Sequence, residues 1–279
     1  MNSIKELYQR LTWLSLDVVF GAMGGMLFFS RLLRVQLHWT IYALLGMAVW
    51  AIYTFDHLMD ARVHPTGSKM DRHGFHQKHG LALWFLLVTV VLVGLYGAYV
   101  VFGIGKELFA GGILAVIILL VMLIIRVLPP RFHWLKELNT AIFYVIGIAL
   151  LPFLRFSFFD WTWETGTITS GYIALAYLNL IMLSFLDAGK DQASGYGSLI
   201  SVLPKDQLNK VIRILCIAII VVFFGGVIFL SSFYKLFSCL ILIMGLIHYL
   251  TFFNPRLSSP QIRYRMEATF FLPWILLVW

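Results

Sequence analysis

Four aspartates in two matched pairs are the residues of this chain best suited to chemistry. They are Asp56 and Asp60 in YTFDHLMD, and Asp187 and Asp191 in SFLDAGKD. Each pair has i,i+4 spacing, which sets two carboxylates on one face of a helix. Each pair closes an apolar run, and the two lie 131 residues apart, as an internal duplication would leave them. A helix C-terminus carries partial negative charge, and neighbouring carboxylates repel. Acids placed there invite a cation, and hard carboxylate oxygens suit Mg²⁺. Four separately solvated loop acids are the plainer alternative, which the matched spacing and depth disfavour.

Histidine offers a second chemistry. Five of the eight, His57, His64, His73, His76 and His79, fall in one stretch, and three of these form H-x-x-H-x-x-H. On a helix the third would be turned about 240° from the first, so the three share no face. Di-iron desaturase sites draw on several histidine clusters, and this chain has one. Solvated loop residues or phosphate donors are the expected roles. Asp17, inside the first apolar run, is either functional or paired with a base across the bundle. Asn179 lies two turns before Asp187 and suits helix packing as well as substrate contact. Cys216 and Cys239 lack the paired spacing of a metal site and read as packing residues.

The elements that must position these groups are membrane helices. The chain is 61% hydrophobic and 12% charged, whereas soluble domains average about 45–50% and 25%. That excludes a soluble domain with one anchor. Uncharged runs, the first interrupted by Asp17 and the ninth weakened by charge in all but its last twelve residues, predict about nine transmembrane helices, near 11–34, 36–57, 80–103, 107–127, 135–155, 168–187, 209–232, 234–254 and 261–279. The criterion is that about 20 apolar residues cross a hydrocarbon core of about 30 Å. The fold class is thus all-α, one polytopic bundle over residues 1–279 with two matched Asp-bearing halves. Gly21-x-x-x-Gly25 permits close helix packing.

Orientation follows from charge. With the N-terminus inside, sixteen of the 21 Lys and Arg fall on the inner side, leaving Arg31, Arg34, Lys106, Arg155 and Lys235 outside. This is the positive-inside bias, so the net +8 reflects membrane topology and not nucleic acid. The N-terminal MNSIKELYQR is mixed in charge, with no small-residue cleavage site after the first apolar run, and does not read as a secretory signal. Both acidic pairs then end inner-face helices, the second and the sixth. The longest outer loop, 155–169, carries Trp and Phe suited to an interfacial belt.

The second pair extends into Asp187-x-x-x-Asp191-x-x-x-Gly195-x-x-Ser198-Leu199. In that spacing the chain resembles the UbiA-type intramembrane prenyltransferase superfamily. The segment PRFHWLKEL, with Arg131, is similar to the basic stretch before that family's fifth helix. The resemblance touches the second to sixth segments and the helix count. It implies Mg²⁺-dependent transfer of a prenyl group from a prenyl diphosphate to a lipophilic, aromatic-type acceptor within the membrane. Asp56, Asp60, Asp187 and Asp191 are the implied metal ligands and, with Lys190, the implied catalytic set. Lys190, Arg72, Arg131 and Lys136 would hold phosphate oxygens, with His73 and His76 as further donors. Tyr53 and Asn179 would contact substrate, and Phe55, Tyr144, Tyr177 and Phe185 would offer aromatic faces to a cationic carbon. The expected partners are prenyl diphosphate, acceptor and membrane lipid, without nucleic acid, in a bacterial cell membrane.

The first motif departs from that pattern. Ile52 and Tyr53 stand where the family carries polar ligands, and Asp71-Arg72-His73-Gly74-Phe75-His76 replaces the usual Arg-Thr-x-x-Arg-Pro. A divergent branch with a weaker first metal site is implied. The alternative function is a non-catalytic membrane protein that binds or transports an isoprenoid or its diphosphate. An ion transporter would place its acids at the midplane. CDP-alcohol phosphotransferases need an Asp-Gly core, and no such dipeptide occurs.

Overall fold

The structure is a computed structural model that describes residues 12–63, 72–127, 134–157, 160–194 and 204–279. Every regular element among them is helical. In chain order they are α1 (Leu16–Leu32), α2 (Trp39–Val63), α3 (Arg72–Lys78), α4 (Gly80–Phe102), α5 (Lys106–Val127) and α6 (Trp134–Arg155). Then follow α7 (Trp163–Ser194), α8 (Lys205–Phe229), α9 (Ser232–Phe252), α10 (Ser259–Ala268) and a 3₁₀ helix, Thr269–Leu277.

Seven of these helices, α2 and α4–α9, are long and apolar enough to cross a membrane, so the chain is an integral membrane protein of helical type. Two of the nine expected spans differ. The 17 residues of α1 rise only about 25 Å at 1.5 Å each. The segment expected at 261–279 is α10 followed by the 3₁₀ helix. Pro273 explains the change, because in α geometry its ring would meet the carbonyl of Thr269.

Two helices outrun their charge-free intervals. α2 continues to Val63 and α7 from Trp163 to Ser194, beyond the expected ends at 57, 168 and 187. Charge marks where a helix leaves hydrocarbon, whereas hydrogen bonding and caps mark where it stops. Thr162 shows this, since its Oγ1 accepts the Thr165 backbone N–H at 3.3 Å and caps α7. Much of the expected outer loop is therefore helix.

The chain divides into two compact units. The first holds α1 up to Met23 with α2, α3, α4 and the start of α5; the second holds the rest of α1 and of α5 with α6–α10 and the 3₁₀ helix. One acidic pair belongs to each unit. In the first, Trp50 and Leu58 of α2 pack with Leu83 and Leu87 of α4 around Val19.

Lipid is as apolar as leucine, so helices in a membrane are held by close packing more than by hydrophobic burial. The second unit depends on small residues accordingly. A Cβ on Gly171 of α7 would lie 1.8 Å from Phe223 Cζ of α8, and one on Gly25 would lie 2.6 Å from Ile148 Cδ1. Gly226 faces Ser238, whose hydroxyl donates to the Phe223 carbonyl at 2.9 Å. The Phe28 ring lies tilted 5.0 Å from Tyr172 and edge-to-face 5.2 Å from Phe237.

Helix α1 ends in a Schellman motif. Val35 N–H donates to Ser30 O at 2.8 Å and Arg34 N–H to Arg31 O at 3.1 Å. Arg34 holds the left-handed position, φ 56°, where glycine is usual. A side chain there costs about 1–2 kcal/mol.

Candidate functional site

In the first unit Tyr53, Asp56, His57 and Asp60 ride on α2, with Asp60 one turn beyond Asp56 and three residues before the helix ends at Val63. Tyr53, Asp56 and His57 are half-buried. The His57 ring lies 6.3 Å from that of Tyr53 and 5.2 Å from that of His76. His76 is on α3 and only 2% exposed. It is therefore not the solvated loop residue expected, because the stretch after α2 includes a helix that α2 packs against. His73 and Arg72 share α3, but their side chains, like that of Asp60, lie outside the described residues.

In the second unit Asp187 and Asp191 are one turn apart on α7, and Asp191 again stands three residues before the helix end at Ser194. The two acidic pairs thus occupy the same place in their helices. Asp187 is ion-paired through Oδ2 with Arg263 Nη2 of α10. Arg263 Nη1 also reaches Glu267 Oε1 at 4.0 Å. One turn before Asp187, Ser184 Oγ donates to Glu137 Oε1 of α6 at 3.0 Å, and Glu137 is buried. The side chains of Lys136, Lys190 and Asp191 lie outside the described residues, as does Arg131 altogether.

Deeper in this unit Asn179 and His248 form a buried polar pair. His248 Nδ1–H donates to the Met244 carbonyl at 2.8 Å, which leaves Nε2, 3.2 Å from the Asn179 side-chain amide, as an acceptor for an amide N–H. Asn179 is thus engaged in helix packing, about 12 Å from Asp187 along α7 at 1.5 Å per residue. The Phe270 ring lies 6.0 Å from His248 and 6.2 Å from Tyr144. Phe185 packs on Phe252 at 5.4 Å, a contact between helices. Asp17 is buried in the first unit, where its Oδ1 accepts the Val18 N–H at 3.0 Å.

Arg263, Glu137, Glu267 and His248 escaped the sequence reading. Arg263 and Glu267 sit in the segment whose charge weakened it as a membrane span, and that charge was itself the signal. His248 is a lone polar residue within an apolar run. A buried polar group there needs a partner, and Asn179 was the amide available to the same bundle.

Among the described residues no three His, Cys, Asp or Glu converge as a metal cluster. Two of the four expected ligands, Asp60 and Asp191, have side chains outside that set. Asp187, whose side chain is 40% exposed, is neutralised by Arg263, so a cation there would compete with the guanidinium. Comparison with family models, curated proteins and solved structures returned no match.

Proposed function

We propose that this membrane protein is a Mg²⁺-dependent prenyltransferase that moves a prenyl group from its diphosphate to a lipophilic acceptor. The observation that carries the reading is the repeated placement of an i,i+4 aspartate pair in the last two turns of a long apolar helix, on α2 and again on α7. The UbiA-like spacing from Asp187 to Leu199 supports it. Asp56 with Asp60, and Asp187 with Asp191, would each hold an ion. When bound, Mg²⁺ would supply the Lewis acidity that neutralises a departing diphosphate.

The chain's own groups account for the remaining steps. Arg263 keeps its charge at any working pH, and exchange of Asp187 for phosphate oxygens would let it clamp the diphosphate as a fork. Lys190, on the same helix between the two aspartates, adds a second cation. The isoprenoid would extend along α7 away from the charged end, where the half-buried Tyr144 would offer its ring to positive charge on carbon. Asn179 would meet a polar acceptor group only by giving up its contact with His248.

Neutralisation of Asp187 by Arg263 also favours a second reading, a passive binder of prenyl diphosphate. Turnover separates the two. Purified protein is incubated with Mg²⁺, prenyl diphosphates of several lengths and native lipid extract, and products are read by mass spectrometry. A prenylated lipid that forms with Mg²⁺ and vanishes in Asp191→Ala supports the enzyme. Retention of diphosphate without any product supports the binder, and binding undiminished by chelator removes the metal from both.

A further inference from the structure

A cavity lies in the second unit at the end of α7 opposite Asp187. Thr165 and Asp187 are 22 residues apart on that helix, about 33 Å at 1.5 Å per residue. The cavity measures about 660 Å³ and is lined by Arg34, Arg155, Asp160, Thr162, Thr165 and Tyr234, with Leu32, Leu33 and Phe233 as its apolar wall. Such a volume suits a small organic group.

Its polar groups are arranged. Thr162 Oγ1 lies 2.9 Å from Tyr234 Oη and 3.1 Å from Thr165 Oγ1, and Tyr234 Oη is 3.4 Å from Thr165 Oγ1. Three hydroxyls from two helices thus meet at one wall. Arg34 holds its guanidinium carbon 4.2 Å above the Phe233 ring, and does so from the left-handed backbone position that glycine usually fills. A strained residue that the surrounding packing retains is a pointer to function. The chain places an arginine there although glycine would close α1 with less strain.

We infer that this cavity binds the headgroup of a membrane phospholipid of the zwitterionic aminophospholipid class. Arg34 and Arg155 hold the phosphodiester, whose oxygens match a guanidinium fork, and the hydroxyl trio completes its hydrogen bonds. Asp160 pairs with the ammonium; opposite a purely anionic headgroup the same carboxylate would repel. The aromatic surroundings place the cavity at lipid headgroup level, because Trp161 is 40% and Trp163 68% exposed, as in the interfacial belt of membrane proteins. Trp279, 5.8 Å from Phe233, extends that belt. The assignment is independent of prenyl transfer.

The test uses the full chain, purified in detergent and stripped of lipid, with native mass spectrometry to measure binding. The probes are short-chain phosphatidylethanolamine, phosphatidylglycerol, diacylglycerol and inorganic phosphate. Phosphatidylethanolamine should bind best, and Arg34→Gly and Arg155→Gln should each weaken it about tenfold, the scale of one charge-assisted hydrogen bond. Arg34→Gly should melt at or above the parent temperature because the left-handed strain is relieved, so its loss of binding is not unfolding. Asp160→Asn should erase the preference over phosphatidylglycerol. Unchanged binding in Arg34→Gly, or equal binding of diacylglycerol, overturns the site. Full displacement of lipid by inorganic phosphate overturns the lipid in favour of a soluble phosphate, and a parent preference for phosphatidylglycerol overturns the zwitterionic class.

Discussion

Replacing Arg263 by glutamine should tighten Mg²⁺ at Asp187 while loosening the contact between α7 and α10. The two side chains are 25% and 40% exposed, so the pair belongs neither to the surface nor to the interior. Exposed ion pairs contribute about 0.2–1 kcal/mol, and removing one partner of a buried pair costs about 3–5 kcal/mol. Solvent screening at this exposure puts the contribution near the lower range, about 1 kcal/mol. Any cation arriving at Asp187 must displace the guanidinium, so its removal should improve Mg²⁺ affinity about fivefold. Glu267, 4.0 Å from Arg263, would lose its compensating charge and add to the attraction. Calorimetric titration of Mg²⁺ into the full chain without substrate measures the effect, with thermal melting recorded alongside. Retention of prenyl diphosphate should move the opposite way, because the phosphate loses a guanidinium. Unchanged or weaker Mg²⁺ binding in Arg263→Gln would refute competition between arginine and metal for Asp187.

The first acidic pair lacks polar neighbours at Ile52 and Tyr53, so Asp56→Asn should raise the Mg²⁺ needed for half-maximal turnover, whereas Asp191→Asn should abolish turnover; equal losses would show the two sites equivalent. Gly171→Ala places a methyl 1.8 Å from Phe223 Cζ and should cost about 1–3 kcal/mol of stability by overpacking. An unaltered melting temperature in detergent would contradict that packing. Reporter fusions after Lys78 and Lys205 should both read cytoplasmic, and fusions after Lys106 and Thr162 the opposite side. Lys78 and Lys205 on different sides would contradict the expectation that both acidic pairs end inner-face helices.

Hydropathy was legible along the chain because each membrane helix solves its backbone hydrogen bonding alone. Composition therefore announced the helical class and the centres of α2 and α4–α9 before any packing was known. The i,i+4 pairs were equally legible, since a regular helix converts spacing directly into a shared face, and α2 and α7 run unbroken through both. Helix ends were less so. Thr162 caps α7 through a side-chain oxygen, a local event that a search for uncharged intervals does not see.

Contacts between distant segments had no such local signature. Arg263 meets Asp187 across 76 residues, and His248 meets Asn179 across 69. Each depends on which faces of α7, α9 and α10 pack together. Shape enters that choice where α8 joins α7 and α9, through Gly171 against Phe223 and Gly226 against Ser238, and the periodicity of a single helix does not encode it. The same holds for His76, whose burial follows from the packing of α3 on α2. Sequence alone determined a membrane bundle and the acids at the ends of its helices. Tertiary structure decided which cation reaches Asp187 and which polar groups are enclosed, because side-chain partners are set by the packing of whole helices.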